Sequence, residues 1–488
     1  MKKYFSGILI IMLFVQISVY AQNTFPANGS AGIGTNAPAA SSLLEIKSTS
    51  KGMLIPRMTS TQRNAIASPA TGLLIYQTTN TPGFYYYSGT AWTALKTTAG
   101  WGLKGNAGTN SGVNFIGTTD TASFILKTNN QLAGILSSNT TANTSYGYQA
   151  LMSNANYNNT AVGYNTLKLN TTAGYNTAVG TYSMLNNTVG YQNTAVGSNS
   201  LQSNQNGNFN SAFGYGALLN STTGVSNTAV GNNALFNNTT GNYNTGLGTN
   251  SLYSNSIGES NIAIGSSSLY SNTSGSSNIA LGINAMGFNS TGNWNIAMGQ
   301  AALQGNTTAD YNIGIGYYAL ATNSIGTSNT AIGNQALRYN TANDNTALGS
   351  DALYSNTTGA GNTAVGKYAL NANTTANENT ATGFYSLYNN TTGYSNSATG
   401  SYALQSNTTG FNNTANGSSA LYGNTTGINN SAFGTGALSS NATGGYNSAM
   451  GYLSLYSNST GFSNVAWNFC APYNTRSKHN CGHIHYKT

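Results

Sequence analysis

Charge is nearly absent from this 488-residue chain: acidic and basic side chains together make up 5% of it, against roughly 25% in ordinary soluble domains. Counting domains from length therefore does not apply. Cysteine is confined to Cys470 and Cys481, and all three histidines share the same tail. The long central region has only Glu259, Asp310, Asp344, Asp351 and Glu378 as acids. Catalysis needs titratable groups gathered together, so no enzyme is expected, and no catalytic residue or cofactor is assigned. Asp344 and Glu378 occupy one repeat position two copies apart, hence roughly 10 Å by strand spacing and near the range of inverting glycosidases. Solvation of a turn is the plainer reading of that pair. Aspartate-bearing calcium nonapeptides, P-loops and dinucleotide fingerprints are absent as well.

The formal net charge of +8 is unevenly spread. Before Asn139 there are nine Lys/Arg and two Asp/Glu, the central region holds three and five, and the residues after Trp467 hold three and none. A phosphate-tracking surface needs a basic stripe. None follows the repeats, so no nucleic-acid partner is expected. Long apolar runs are missing too, with one exception. MKKYFSGILIIMLFVQISVYAQ sets two lysines before an apolar run from Ile8 to about Tyr20 and a Val19-Tyr20-Ala21 cleavage site, which reads as a signal peptide over residues 1–21. Export to the cell surface, outer membrane or medium follows.

Residues 22–95 form a mixed segment in which Leu73 to Tyr76 and Phe84 to Tyr87 have strand composition and Ser88-Gly89 suits a turn; a small β-rich module is expected. Residues 96–138 are a Gly/Thr-rich connector ending in a strand over Ser123 to Lys127. From 139 to 466 one sentence is repeated. Its marker glycines run from Gly147 to Gly451, nineteen of them, spaced by 17 residues except for two steps of 16. Asn stands four residues before each, Leu or Met four after, and a second Asn three further on, Ser221 being the exception. Nothing here has the length or 3.6 period of a helix.

Two short strands and two turns per copy predict one coil of a parallel β-solenoid, with like residues stacked and asparagines in ladders. The marker glycines are expected at positive φ. Scarcity of charge fits, since a charge repeated in every coil faces its copy about 4.8 Å away. Neighbouring strand residues point to opposite faces, so Ala161 and Val162 cannot both enter the coil, nor can Thr166 and Leu167. Either Ala lies inside and the Val/Ile/Leu/Phe position before the glycine forms an outer subunit seam, or the reverse holds. Thr382, Thr399 and Asn416 interrupt that stripe. Tyr253, Tyr270, Tyr354, Tyr388, Tyr422 and Tyr456 each follow the repeat Leu; with Leu inside they point out, and they are the candidate surface-binding residues.

Asn261-Ile262-Ala263-Ile264-Gly265, Asn278-Ile279-Ala280-Leu281-Gly282 and the many Asn-Thr-Ala-Val-Gly copies resemble the head repeats of YadA-like trimeric autotransporter adhesins, although the usual family repeat is shorter. GMLIPRMTSTQRNAI and GFYYYSGTAW are similar to segments of Bacteroidetes-type surface and tail-fibre-like proteins. The resemblance implies an all-β fold built of left-handed β-rolls, a homotrimer, and adhesion to host matrix protein, glycan or another surface. A tail-fibre-like rod that binds or cleaves glycan is the alternative. The family's coiled-coil stalk, membrane barrel and chaperone domain have no counterpart here. Residues 467–488 instead read as an atypical tail, expected from a shifted or truncated reading frame. Cys470, Cys481, His483 and His485 match no standard zinc spacing, so no metal is assigned.

Overall fold

The computed structural model describes residues 29–95, 110, 115–137, 142–153 and 157–469, and the backbone of 482–487. The signal peptide, most of the connector, Cys470 and Cys481 lie outside the described residues. The chain divides into two compact units, residues 1–116 and 117–488.

The first unit holds β1 (Ala31–Ile33) paired in parallel with β2 (Leu44–Ile46), and a four-stranded sheet of β3 (Arg57–Met58), β4 (Leu74–Gln77), β5 (Gly83–Tyr87) and β6 (Trp92–Ala94). A short helix α1, Ser60–Asn64, starts at Thr59 with a capping box. Thr59 Oγ1 accepts from Gln62 N–H while Gln62 Oε1 accepts from Thr59 N–H, so both orphan donors at the helix start are satisfied. Aromatic residues of β5 and β6 meet edge to face, as at Tyr87 and Trp92. This is the β-rich module that strand composition predicts.

In the second unit β7 (Phe124–Thr128) and β8 (Gln131–Leu136) form a hairpin, of which the sequence shows only the first strand. It pairs antiparallel with β9 (Thr144–Tyr146), the strand of the first coil. From β9 to β27 (Ser448–Met450) every coil adds one three-residue strand, parallel and in register with the last. The nineteen coil strands make a rod of roughly 90 Å at about 4.8 Å per strand. After β27 comes β28 (Asn464–Phe469), which then pairs antiparallel with β29 (Gly482–Lys487). A shortened step leaves the register intact: Thr330 still faces Thr346, because the missing residue falls in the turn, where Asn345 Nδ2 reaches Asn340 Oδ1 at 3.2 Å.

The expected second strand does not form. The segment from the marker glycine to the repeat Leu is a tight turn in which the residue two after the glycine and the Leu itself are both left-handed, as at Asn199 (φ 58°) and Leu201 (φ 48°). This conformation resolves the packing conflict: Thr166 and Leu167 are both fully buried, which a strand forbids. Each left-handed residue costs about 1–2 kcal/mol. Cross-coil hydrogen bonds such as Leu201 N–H to Ala217 O at 2.9 Å, and burial of the Leu, offset it. In the strand the register is Ala inward. Ala161, Ala178 and Ala195 are inaccessible to solvent, whereas Val196, Phe213 and Leu247 are exposed.

Two asparagine ladders complete the interior. The first stands before each strand: Asn278 N–H donates to Asn261 Oδ1 at 3.0 Å and Asn278 Nδ2 to Gly292 O at 2.8 Å. The second links amide to amide, Asn272 Nδ2 to Asn255 Oδ1 at 2.7 Å and Asn289 Nδ2 to Asn272 Oδ1 at 2.8 Å. The columns are buried from Asn159 to Asn447 and from Asn170 to Asn441, so each unmade bond there carries the whole desolvation cost. Ser221 breaks the second ladder, and its Oγ and Asn204 Oδ1 are left buried with no partner. A Ser221→Asn chain is therefore expected to melt at higher temperature, gaining about 1–2 kcal/mol. An unchanged or lower melting temperature in calorimetry refutes this reading of the ladder.

Candidate binding surface

Three surfaces of the second unit follow from this geometry, all outside the Ala/Leu/Asn interior. One is the outward face of the strands. Its two positions per coil flank the buried Ala, and in four consecutive strands both are large and apolar: Ile262 and Ile264, Ile279 and Leu281, Ile296 and Met298, Ile313 and Ile315. Each of these side chains is half-buried or exposed in the single chain. A contiguous apolar face of that kind marks an interaction site. Thr382, Thr399 and Asn416, also exposed, turn it polar in the Gly383, Gly400 and Gly417 coils. Trp467 extends the stripe beyond Met450.

The second surface is the edge after the marker glycine. All six sequence-selected tyrosines lie on it, although a turn rather than a strand aims them outward. Tyr270, Tyr422 and Tyr456 are exposed and Tyr253, Tyr354 and Tyr388 half-buried. They do not form one continuous column. Tyr253 and Tyr270 stack with centroids 5.1 Å apart, and Phe236 extends the stack. Tyr354 meets Tyr339 edge to face, their hydroxyls 3.4 Å apart, and this hydrogen bond first, then burial, raises the Tyr354 phenol above its ordinary value. Tyr388 packs beside Tyr385, centroids 4.7 Å apart.

Reading the sequence by the residue after Leu misses the larger part of this edge. Tyr368, Tyr385 and Tyr402 stand two residues after successive marker glycines, and their rings follow one another at 4.9 and 5.8 Å. Phe384 touches both Tyr385 and Tyr402. Desolvation, and then the neighbouring phenols of Tyr368, Tyr388 and Tyr402, raise the Tyr385 phenol. Arg338 lies 4.7 Å over the Tyr318 ring and 5.3 Å over Tyr339, and Lys367 lies 4.8 Å over Tyr368. Spacing counted from the marker glycine, rather than from the Leu, displays this column in the sequence.

A third edge precedes the first asparagine ladder and carries Trp294 stacked on Tyr311 and Tyr394 on Phe411. Two of the acids belong to it structurally. Glu259 N–H donates to Ser276 Oγ, Ser276 N–H to Asn293 Oδ1, and Asn293 N–H to Asp310 Oδ1 at 2.6 Å. Asp310 thus closes a ladder of caps. Asp344 and Glu378 are both exposed at left-handed positions, with Gly361 on the coil between them. Among the described residues no three His, Cys, Asp or Glu side chains approach closely enough to hold a metal, and no helix is long and apolar enough to cross a membrane.

The first unit has a different surface problem. Of its residues 29–95, only Ile75 and Gln77 are buried, while Leu43, Met53 and Leu54 are 74%, 62% and 80% exposed. Two buried side chains do not make a core for a unit of this size. Residues 32–114 match a family model described as phage tail like trimerisation region. No curated protein and no solved structure matches the chain. The match covers the unit whose described residues lack a core of their own, and it supports a homotrimeric, fibre-like protein.

Proposed function

We propose that the chain is one strand of an exported homotrimeric fibre that attaches to other surfaces through the outer edges of its solenoid and performs no chemistry of its own. The observation that carries this reading is the first unit: its apolar side chains are left in water by the single chain, and a trimerisation region matches it. The outward face of Ile262 to Ile315 offers a second seam in which three copies cover one another's strands. Burial there contributes roughly 1 kcal/mol for each half-exposed Ile, Leu or Met. Aromatic edges remain free for a ligand on such a fibre, and tyrosine supplies contact area and a hydroxyl at low entropic cost. The signal-like start supports export, and the likeness of the repeats to adhesin heads supports attachment.

Beads coated with the whole chain are expected to attach to a matrix-protein, glycan or cell surface. Replacing Tyr354, Tyr388, Tyr422 and Tyr456 by Ser is expected to reduce attachment by about tenfold while the melting temperature shifts little. Absence of attachment by the parent chain would leave a spacer in place of an adhesin.

A further inference from the structure

We propose that the edge running from the Gly316 coil to the Gly400 coil is a track for a linear, sparsely acidic polysaccharide; this deepens the adhesive reading above and rests on it. Every coil in that interval presents at least one aromatic ring on this edge, and the rings of Tyr368, Tyr385 and Tyr402 succeed one another along the rod axis. A row of packed rings that repeats with the coil presents edges and hydroxyls along the axis and suits a linear polymer running beside them. Two of the three Lys/Arg in the repeats, Arg338 and Lys367, stand on the same edge. Their partners are Gln335 Oε1 and tyrosine rings rather than carboxylates, so both cations are available to an anion.

Charge density selects the polymer. Two cations, with Asp351 among them, on a track of about 24 Å of coil rise do not make the basic groove that follows a nucleic-acid backbone. An acidic glycan carries a carboxylate only at intervals and offers apolar sugar faces to the tyrosines. A second copy of this chain is disfavoured at the Gly383 and Gly400 coils, where the neighbouring strand face turns polar at Thr382 and Thr399.

The test uses the whole chain, immobilised polygalacturonate esterified so that a carboxylate stays free only at intervals, its fully methyl-esterified form, and single-stranded poly(dT). Variants borrow residues that other coils hold at the same positions. Tyr368→Asn, Tyr385→Asn and Tyr402→Asn follow Asn165, Asn199 and Asn233, which are left-handed likewise; Arg338→Gln follows Gln202, and Lys367→Gln follows Gln300. Binding to polygalacturonate is expected, weakened at least about tenfold by the triple tyrosine variant. The Arg338/Lys367 variant should lose the preference for the acid over its ester and the salt dependence with it. Equal binding of acid and ester by the parent, undiminished binding by the tyrosine variant, or preference for poly(dT) each overturns the proposal. Attachment to matrix proteins without binding to polygalacturonate overturns this inference alone, whereas attachment to nothing overturns the adhesive reading as well.

Discussion

A Gly265→Ala chain is expected to lose about 3–5 kcal/mol of stability, a large effect for one substitution. The marker glycine sits at φ +126°, and a Cβ there would stand 2.7 Å from the carbonyl carbon and oxygen of Gly282 in the next coil. Both atoms are backbone, fixed by the in-register strands on either side. Relief requires the coils to separate, and separation breaks the asparagine ladders that join them. Stability in a stack is a sum over neighbouring coils, so the damage should be local. Limited proteolysis is expected to cut near residues 265–282, and thermal unfolding to split into two transitions. Ser267→Ala is the control: it lies two residues on, also left-handed at φ 55°, at a position where Ala301 is accepted at φ 56°. It should cost under about 1 kcal/mol. Equal melting of the two variants contradicts the close-stacked account.

The period of 17 residues made the coil, the parallel register and the stacking of asparagines legible, because each is a statement about one residue recurring at one position. The inward Ala was one of two readings and became certain only when Val196 and Phe213 proved exposed beside fully buried Ala195 and Ala212. The second strand was misread for a physical reason. Ser200-Leu201 is a small residue followed by a large apolar one, like Ala195-Val196, and composition does not distinguish an extended pair from one that turns through a left-handed Leu. The β7–β8 hairpin was half legible because Gln131–Leu136 contains Gly134 and no clear alternation. The six tyrosines were found by one column of the repeat. The cluster around Tyr385 draws on neighbouring columns brought together by the turn, a proximity that spacing from the Leu does not display.

Converting the apolar strand face to threonine is expected to have the second-largest effect, this time on assembly. Ile262, Ile264, Ile279, Leu281, Ile296, Met298, Ile313 and Ile315 each change to Thr, so that their strands resemble Thr380-Ala381-Thr382, which the fold already contains. None of these side chains enters the interior, and the stack itself should survive with its β-rich circular dichroism. The proposed seam loses its apolar contact, and with it the self-association it contributes. Dissociation of the whole chain is expected to occur at a concentration at least about a thousandfold higher than in the parent. An unchanged dissociation profile would remove the strand face from the interface and leave the first unit to hold the fibre together.

Sedimentation equilibrium of the unaltered chain tests the central claim, a fibre of three parallel solenoids, most directly. The account predicts a single species of three times the mass of one chain, unchanged across micromolar dilutions, and sedimentation velocity of the same sample gives the high frictional ratio of a rod. A stable species with the mass of one chain at micromolar concentration would contradict it, since the exposed side chains of the first unit and the strand face would then have no partner to cover them.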